Sequence, residues 1–226
     1  MIKKRYNVLI IDDHPLILEA YKTALLKVSL TSKKLKFKIE TANTIDTAYQ
    51  KIYESSKNNE IDIIFLDIKL PPSLDKSMLS GEDLGIKINQ LLPDTKIIIS
   101  TTFNDNFRIH SIFKSVNPDG FLIKNDISTH ELILAIQTVI NNPPYYSKTV
   151  LKLLRQQVSA DFLLDKVDRQ LLYELSIGTK MKDLPDILPL SIGAIEKRKR
   201  HLKELFEISS QDDRDLILVA KEKGFI

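Results

Sequence analysis

The 226-residue chain contains no cysteine, which excludes disulfides, thiolate metal sites and cysteine nucleophiles. It has no apolar run long enough to span a membrane. The basic start, Met1 to Arg5, runs into a short apolar stretch that ends in Asp12-Asp13 with no small-residue cleavage site, so no signal peptide is expected. An excess of one charge sign is also lacking. The net charge is +3, and residues 1–150 hold 19 basic and 17 acidic side chains against 14 and 13 in the remainder. Neither half binds polyanions by bulk charge, so a nucleic-acid surface has to come from local clustering. There is no internal repeat and no low-complexity tract. With 43% hydrophobic and 28% charged residues, the composition is that of a globular protein, and a cytoplasmic location is the expectation.

What is present is a set of apolar runs that end in charge. Tyr6 to Ile11 runs into Asp12-Asp13, Ile61 to Leu66 into Asp67, and Gly120 to Ile123 into Lys124. Short runs of β-formers read as strands buried on both faces, hence parallel and central. In open parallel sheets ligands bind at the carboxyl ends of the strands, so Asp12, Asp13, Asp67 and Lys124 should meet at one edge. Clustered carboxylates repel and call for a cation, and all-oxygen ligation suits Mg²⁺. One carboxylate can serve as nucleophile and become an aspartyl-phosphate, with the lysine pairing with the phosphate as a point charge.

Strand patterns near 6–11, 35–41, 61–66, 96–101 and 120–123 alternate with helical patterns near 15–28, 44–57, 82–92, 105–115 and 128–141. Five such units predict an α/β domain with a five-stranded, doubly wound parallel sheet in the order 2-1-3-4-5. The switch point then lies between the strands that end at Asp12-Asp13 and Asp67. Ser29 to Leu35 and the loop from Pro71 to Ser80 are longer than this fold requires and read as insertions. Asn141 to Pro144 closes the domain, because two prolines stop a helix. The expected division is a domain at 1–142, a helical linker at 143–160 and an all-α domain at 161–226.

On these residues, 6–141 resemble the receiver domain of bacterial response regulators. The resemblance implies that Asp12, Asp13, Asp67 and the backbone carbonyl of Lys69 hold Mg²⁺, with Asp67 as phosphoacceptor. It implies that Thr101 hydrogen-bonds the phosphoryl oxygen, that Phe121 is the aromatic switch and that Lys124 is the phosphate lysine. The donor would be a phosphohistidine on a sensor kinase, and the chain would be a signalling protein, not an enzyme. The spacing from Thr101 to Lys124 is one residue longer than usual in that family, which leaves Thr102 as an alternative; the strand register favours Thr101. His14 reads as a solvated helix-start residue.

The C-terminal part is helical by periodicity. Leu164, Val167, Leu171, Leu172 and Leu175 share a face, Gly178 is a stop, and Ser191 is an N-cap for an amphipathic basic helix from Ile192 to Phe206. A short helix, a turn and a basic helix make a helix-turn-helix plan. This part resembles the output domain of NarL/FixJ (LuxR-type) regulators, which implies promoter DNA as partner and dimerisation when phosphorylated. The implied DNA contacts are Glu196, Lys197, Arg198, Lys199, Arg200 and Lys203. Lys197 to Arg200 cover every side of a helix, so some of them must approach the core-facing edge. Glu196 stands where the family has lysine, Pro185 falls inside the short helix, and Pro189 replaces the turn glycine. These departures motivate an alternative, in which the output domain binds protein instead of DNA.

Overall fold

The computed structural model describes residues 4–32, 34–58, 60–103, 105–155, 164–210 and 212–226. Six strands form one parallel sheet in the order β2-β1-β3-β4-β5-β6. The strands are β1 (Lys4–Ile11), β2 (Leu35–Ala42), β3 (Ile63–Asp67), β4 (Lys96–Thr101), β5 (Gly120–Ile123) and β6 (Tyr145–Tyr146). Between and after them run α1 (Pro15–Thr31), α2 (Ile45–Ser56), α3 (Gly81–Leu91), α4 (Asn106–Val116), α5 (Thr129–Asn141) and α6 (Lys148–Arg155). The order of the first five strands is the expected one.

The sheet is covered on both faces, as its sequence requires. Every residue of β3 and β5 is buried, whereas β2, at the edge, alternates and turns Lys36, Lys38 and Glu40 outward. Charge on an edge strand protects it from pairing with another chain. On one face Val8, Ile10, Phe65, Ile98 and Leu122 pack with Leu25 and Val28 of α1 and Ile136 and Val139 of α5. Each such side chain contributes about 1.5–3 kcal/mol when fully buried. The alternate residues Leu9, Ile11, Ile64 and Leu66 are buried on the other face, where Leu66 lies against α3 at Gly85.

The sixth strand corrects the expectation of five. Tyr145–Tyr146 extends the sheet beside β5, with the Tyr145 amide donating to the Asp119 carbonyl and the Ser147 amide to that of Phe121. The segment expected as a helical linker therefore begins as a strand, because Pro143-Pro144 end α5 and leave the chain extended along β5. Helix α6 follows and packs on β5, and residues 156–160 lie outside the described residues.

The chain splits into two compact units, Met1–Asn104 with Ile112–Arg155 and Asp105–Ser111 with Gln156–Ile226. The second contains α7 (Lys166–Ser176), α8 (Leu184–Ile187), α9 (Ile192–Leu205) and α10 (Asp213–Glu222). Residues 161–163 of the expected all-α domain lie outside the described residues. Each boundary has a local cause. Asp165 caps α7 through the Asp168 amide at 2.7 Å, and Gly178 follows α7 at φ 85°, a left-handed conformation that a side chain would strain. Pro185 sits in the first turn of α8 with Asp183 as N-cap, which shortens that helix to four residues. Ser191 caps α9 through the Ala194 amide. Leu171, Leu172, Leu184, Ile195, Leu202, Leu216 and Phe225 fill one core.

Candidate functional site

The parallel register brings the strand ends into line: Ile11 pairs with Leu66, Asp67 with Ser100, and Thr101 with Ile123. Asp12 and Asp13 follow β1, Asp67 ends β3, and Lys124 follows β5, so the four converge at the carboxyl edge. The Lys124 ammonium lies 2.7 Å from Asp12 Oδ2 and 2.5 Å from Asp67 Oδ2. Asp67 Oδ1 accepts from the Lys69 amide at 2.9 Å, and Asp12 Oδ1 from the His14 amide at 3.0 Å. The His14 Nδ1 lies 2.7 Å from Asp13 Oδ1, which draws this exposed side chain into the cluster. Ligand atoms of Asp12, Asp13, His14 and Asp67 all lie within 4.8 Å of one another.

The electrostatics leave the cluster short of positive charge. Burial pushes the Asp67 carboxyl above its ordinary value; the Lys124 ammonium and the Lys69 amide pull it down, while Asp12 pushes it up again. One lysine faces three carboxylates. Asp12 Oδ2 and Asp13 Oδ1 are buried oxygens, the first facing the Lys124 ammonium and the second the His14 imidazole, each at 2.7 Å. Oxygen donors with surplus negative charge fit a hard divalent cation.

Around this cluster, Thr101 is fully buried and its Oγ1 accepts from the Phe103 amide at 3.2 Å, while Thr102 is exposed. Phe121 is fully buried. Its ring lies 5.1 Å from Phe113 of α4, which meets Tyr146 of β6 edge-on at 4.8 Å. The sequence reading missed Phe113 and Tyr146; helical spacing marks Phe113 as apolar but gives no sign of its partners.

The expected DNA contacts divide into two groups. Arg198 reaches Asp165 and Asp168, each at 2.7 Å. Lys199 and Lys203 reach Asp213 at 2.6 and 3.0 Å. Glu196, Lys197 and Arg200 are exposed on the outer side of α9.

A family model for the response regulator receiver domain matches residues 8–137. The chain belongs to the response regulator receiver family. Among curated relatives, the oxygen regulatory protein NreC of Staphylococcus epidermidis is 26% identical over 220 residues, covering 92% of this chain and 94% of its own. The transcriptional regulatory protein MctR of Rhizobium johnstonii is 26% identical over 227 residues, covering 99% and 97%. Among solved structures, RcsB from Salmonella enterica serovar Typhimurium, bound to the P1flhDC promoter with the phosphomimetic BeF3⁻, aligns with a TM-score of 0.66. It covers 97% of this chain and 100% of its own at 17% identity, a likeness of fold. With relatives matched from end to end, this is a response regulator of the NarL/FixJ type. Among the described residues no helix is long and apolar enough to cross a membrane.

Proposed function

We propose that this response regulator accepts a phosphoryl group on Asp67 and that the modification controls its binding to promoter DNA. The observation that carries the reading is the Lys124 ammonium bridging Asp12 and Asp67 at the carboxyl edge of the sheet. Asp12, Asp13, Asp67 and the Lys69 carbonyl would hold Mg²⁺, which neutralises charge on the transferring group when bound. An Asp67 carboxylate oxygen attacks the phosphorus of a phosphohistidine on a sensor kinase. The P–N bond breaks and the imidazole nitrogen leaves with the electron pair. Lys124 stays paired with the product as a point charge, and the Lys69 amide keeps the carboxyl oriented. Thr101, whose Oγ1 accepts from the Phe103 amide, then donates its hydroxyl to a phosphoryl oxygen, and the Phe121–Phe113–Tyr146 contacts adjust. This is a population shift biased by one dianion.

DNA recognition is assigned to the outer side of α9, with Lys197 and Arg200 toward phosphates or guanine edges and Glu196 toward a cytosine amine. The name of MctR and the promoter-bound RcsB structure support a transcriptional role, to which the proposal adds homodimers formed on phosphorylation and a cytoplasmic setting. One observation favours the protein-binding alternative: Arg198, Lys199 and Lys203 are engaged within the domain, which leaves a mixed-charge outer face.

The test uses the full chain with acetyl phosphate and Mg²⁺. Intact-mass analysis should find one phosphoryl adduct on the wild type and none on Asp67→Asn. Gel shifts on genomic fragments at low salt should then show binding that strengthens with phosphorylation. An unlabelled wild type overturns the switch, and labelled protein without a shift favours the protein-binding output.

A further inference from the structure

Tyr21 of α1 is 4% exposed and Ser100 of β4 is 1% exposed, yet their hydroxyls hydrogen-bond to each other inside the receiver core. The Tyr21 ring stacks on Phe65 of β3 at 5.0 Å. Burial pushes the Tyr21 phenol well up, so it stays neutral. The surroundings are apolar: Val8, Ile10, Leu25, Ile98, Leu122 and Ile136 belong to the same cluster.

Stability alone does not ask for this pair. Two apolar side chains of the same shape would fill the site at nearly no loss, whereas either hydroxyl without its partner is costly. The location is the informative part. Ser100 stands opposite Asp67 in the β3–β4 register and directly precedes Thr101. Successive strand residues point to opposite faces, so Ser100 faces α1 while Thr101 faces away. Thr101 Oγ1 accepts from the Phe103 amide, which leaves its own hydroxyl proton to donate to a phosphoryl group on Asp67. A hydroxyl turned through one bond reaches its target only if the backbone beneath it stays in place.

We propose that the Tyr21–Ser100 hydrogen bond is the fixed point against which the Thr101 switch turns, tying the end of β4 to α1. Tyr21 is thus a positioning residue that acts through Ser100 and Thr101. The inference rests on phosphorylation of Asp67 as the signal.

The test uses full-length, isotope-labelled protein saturated with Mg²⁺ and beryllofluoride, read by the Thr101 and Phe103 amide resonances. Tyr21→Phe should leave these resonances part-way between the free and wild-type bound positions, with the equilibrium constant for the switched form lowered about fivefold or more. The double variant Tyr21→Phe/Ser100→Ala removes both polar ends and should recover thermal stability without recovering the switch. Ser100→Thr keeps a hydroxyl and should switch as the wild type does. Wild-type switching in either Tyr21→Phe or the double variant would reduce the pair to packing and overturn the inference. A wild type whose resonances ignore beryllofluoride would overturn the phosphorylation reading, and the inference with it.

Discussion

A Cβ placed on Gly81 would stand 1.9 Å from the carbonyl oxygen of Asp67, and 2.9 Å from its carbonyl carbon and from the Ile68 Cα. The first turn of α3 is thus laid directly on the backbone of Asp67, and the Gly81 amide donates to the Ile68 carbonyl at 3.0 Å. All three atoms of the clash belong to backbone, so Gly81→Ala forces either α3 or the Asp67–Ile68 peptide to move. The expected cost is about 1–3 kcal/mol, the range for an overpacked site. Asp67 should also lose its alignment with Lys124. Urea unfolding measures the first effect. The rate of phosphorylation by acetyl phosphate, corrected for the folded fraction, measures the second, and it should fall.

The Lys124 ammonium lies within 4 Å of both Asp12 and Asp67, and its side chain is 6% exposed. Lys124→Met leaves two buried carboxylates facing each other, a loss of roughly 3–5 kcal/mol for one broken buried pair. A divalent cation supplies what the lysine gave. Thermal melts should therefore show a large loss in metal-free buffer and a larger recovery on adding Mg²⁺ than in the wild type. Equal Mg²⁺ responses would mean that the cation binds away from these carboxylates.

Strand ends were legible because a buried parallel strand cannot hold a charge until it leaves the sheet, so Asp12, Asp67 and Lys124 mark the edge themselves. Ser191 and Gly178 were legible for a similar reason: a helix end needs a capping group or a left-handed residue where the backbone requires one. Tyr145–Tyr146 was not, because two residues give no alternation and the preceding prolines read as a break. Pairings between distant residues were also hidden. Tyr21 meets Ser100 across 79 positions, and Arg198 meets Asp165 and Asp168 across 33 and 30. The cation run predicted that some members approach the core-facing edge, but not which acids they meet.

The loop from Pro71 to Ser80 is held by Asp75, which accepts from the Ser73 hydroxyl at 2.7 Å and from the Ser77 amide and hydroxyl at 3.0 and 2.8 Å. These bonds, the Ser73 hydroxyl first, lower the Asp75 carboxyl from 3.8 to about 2. A depressed carboxyl pKa means that the ionised form favours the folded loop. The contribution is whole above pH about 4 and is lost as pH falls toward about 2. Amide exchange at Ser77, normalised to an amide in the β3 core, should accelerate across that window. Asp75→Asn should exchange faster at neutral pH and lose the pH dependence. Flat Ser77 protection from pH 5 to pH 2 would show that the loop is held by something else.

On α9 the structure separates cations that brace the domain from cations that face outward. Arg198 clamps the capping residues of α7, and Lys199 and Lys203 hold Asp213 at the start of α10. Lys197 and Arg200 are exposed. Each phosphate neutralised on B-DNA adds about 0.9 to the slope of log affinity against log salt. Lys197→Ala and Arg200→Ala should each lower that slope by about 0.9 on a fixed genomic fragment and leave the melting temperature alone. Arg198→Ala should do the reverse, costing roughly 1 kcal/mol of domain stability, because its partner Asp168 is largely buried while the arginine itself is a third exposed. A slope that drops with Arg198→Ala at unchanged stability would mean that the arginine leaves Asp165 and Asp168 for phosphate. The basic helix would then read DNA with more of its surface than the free protein presents.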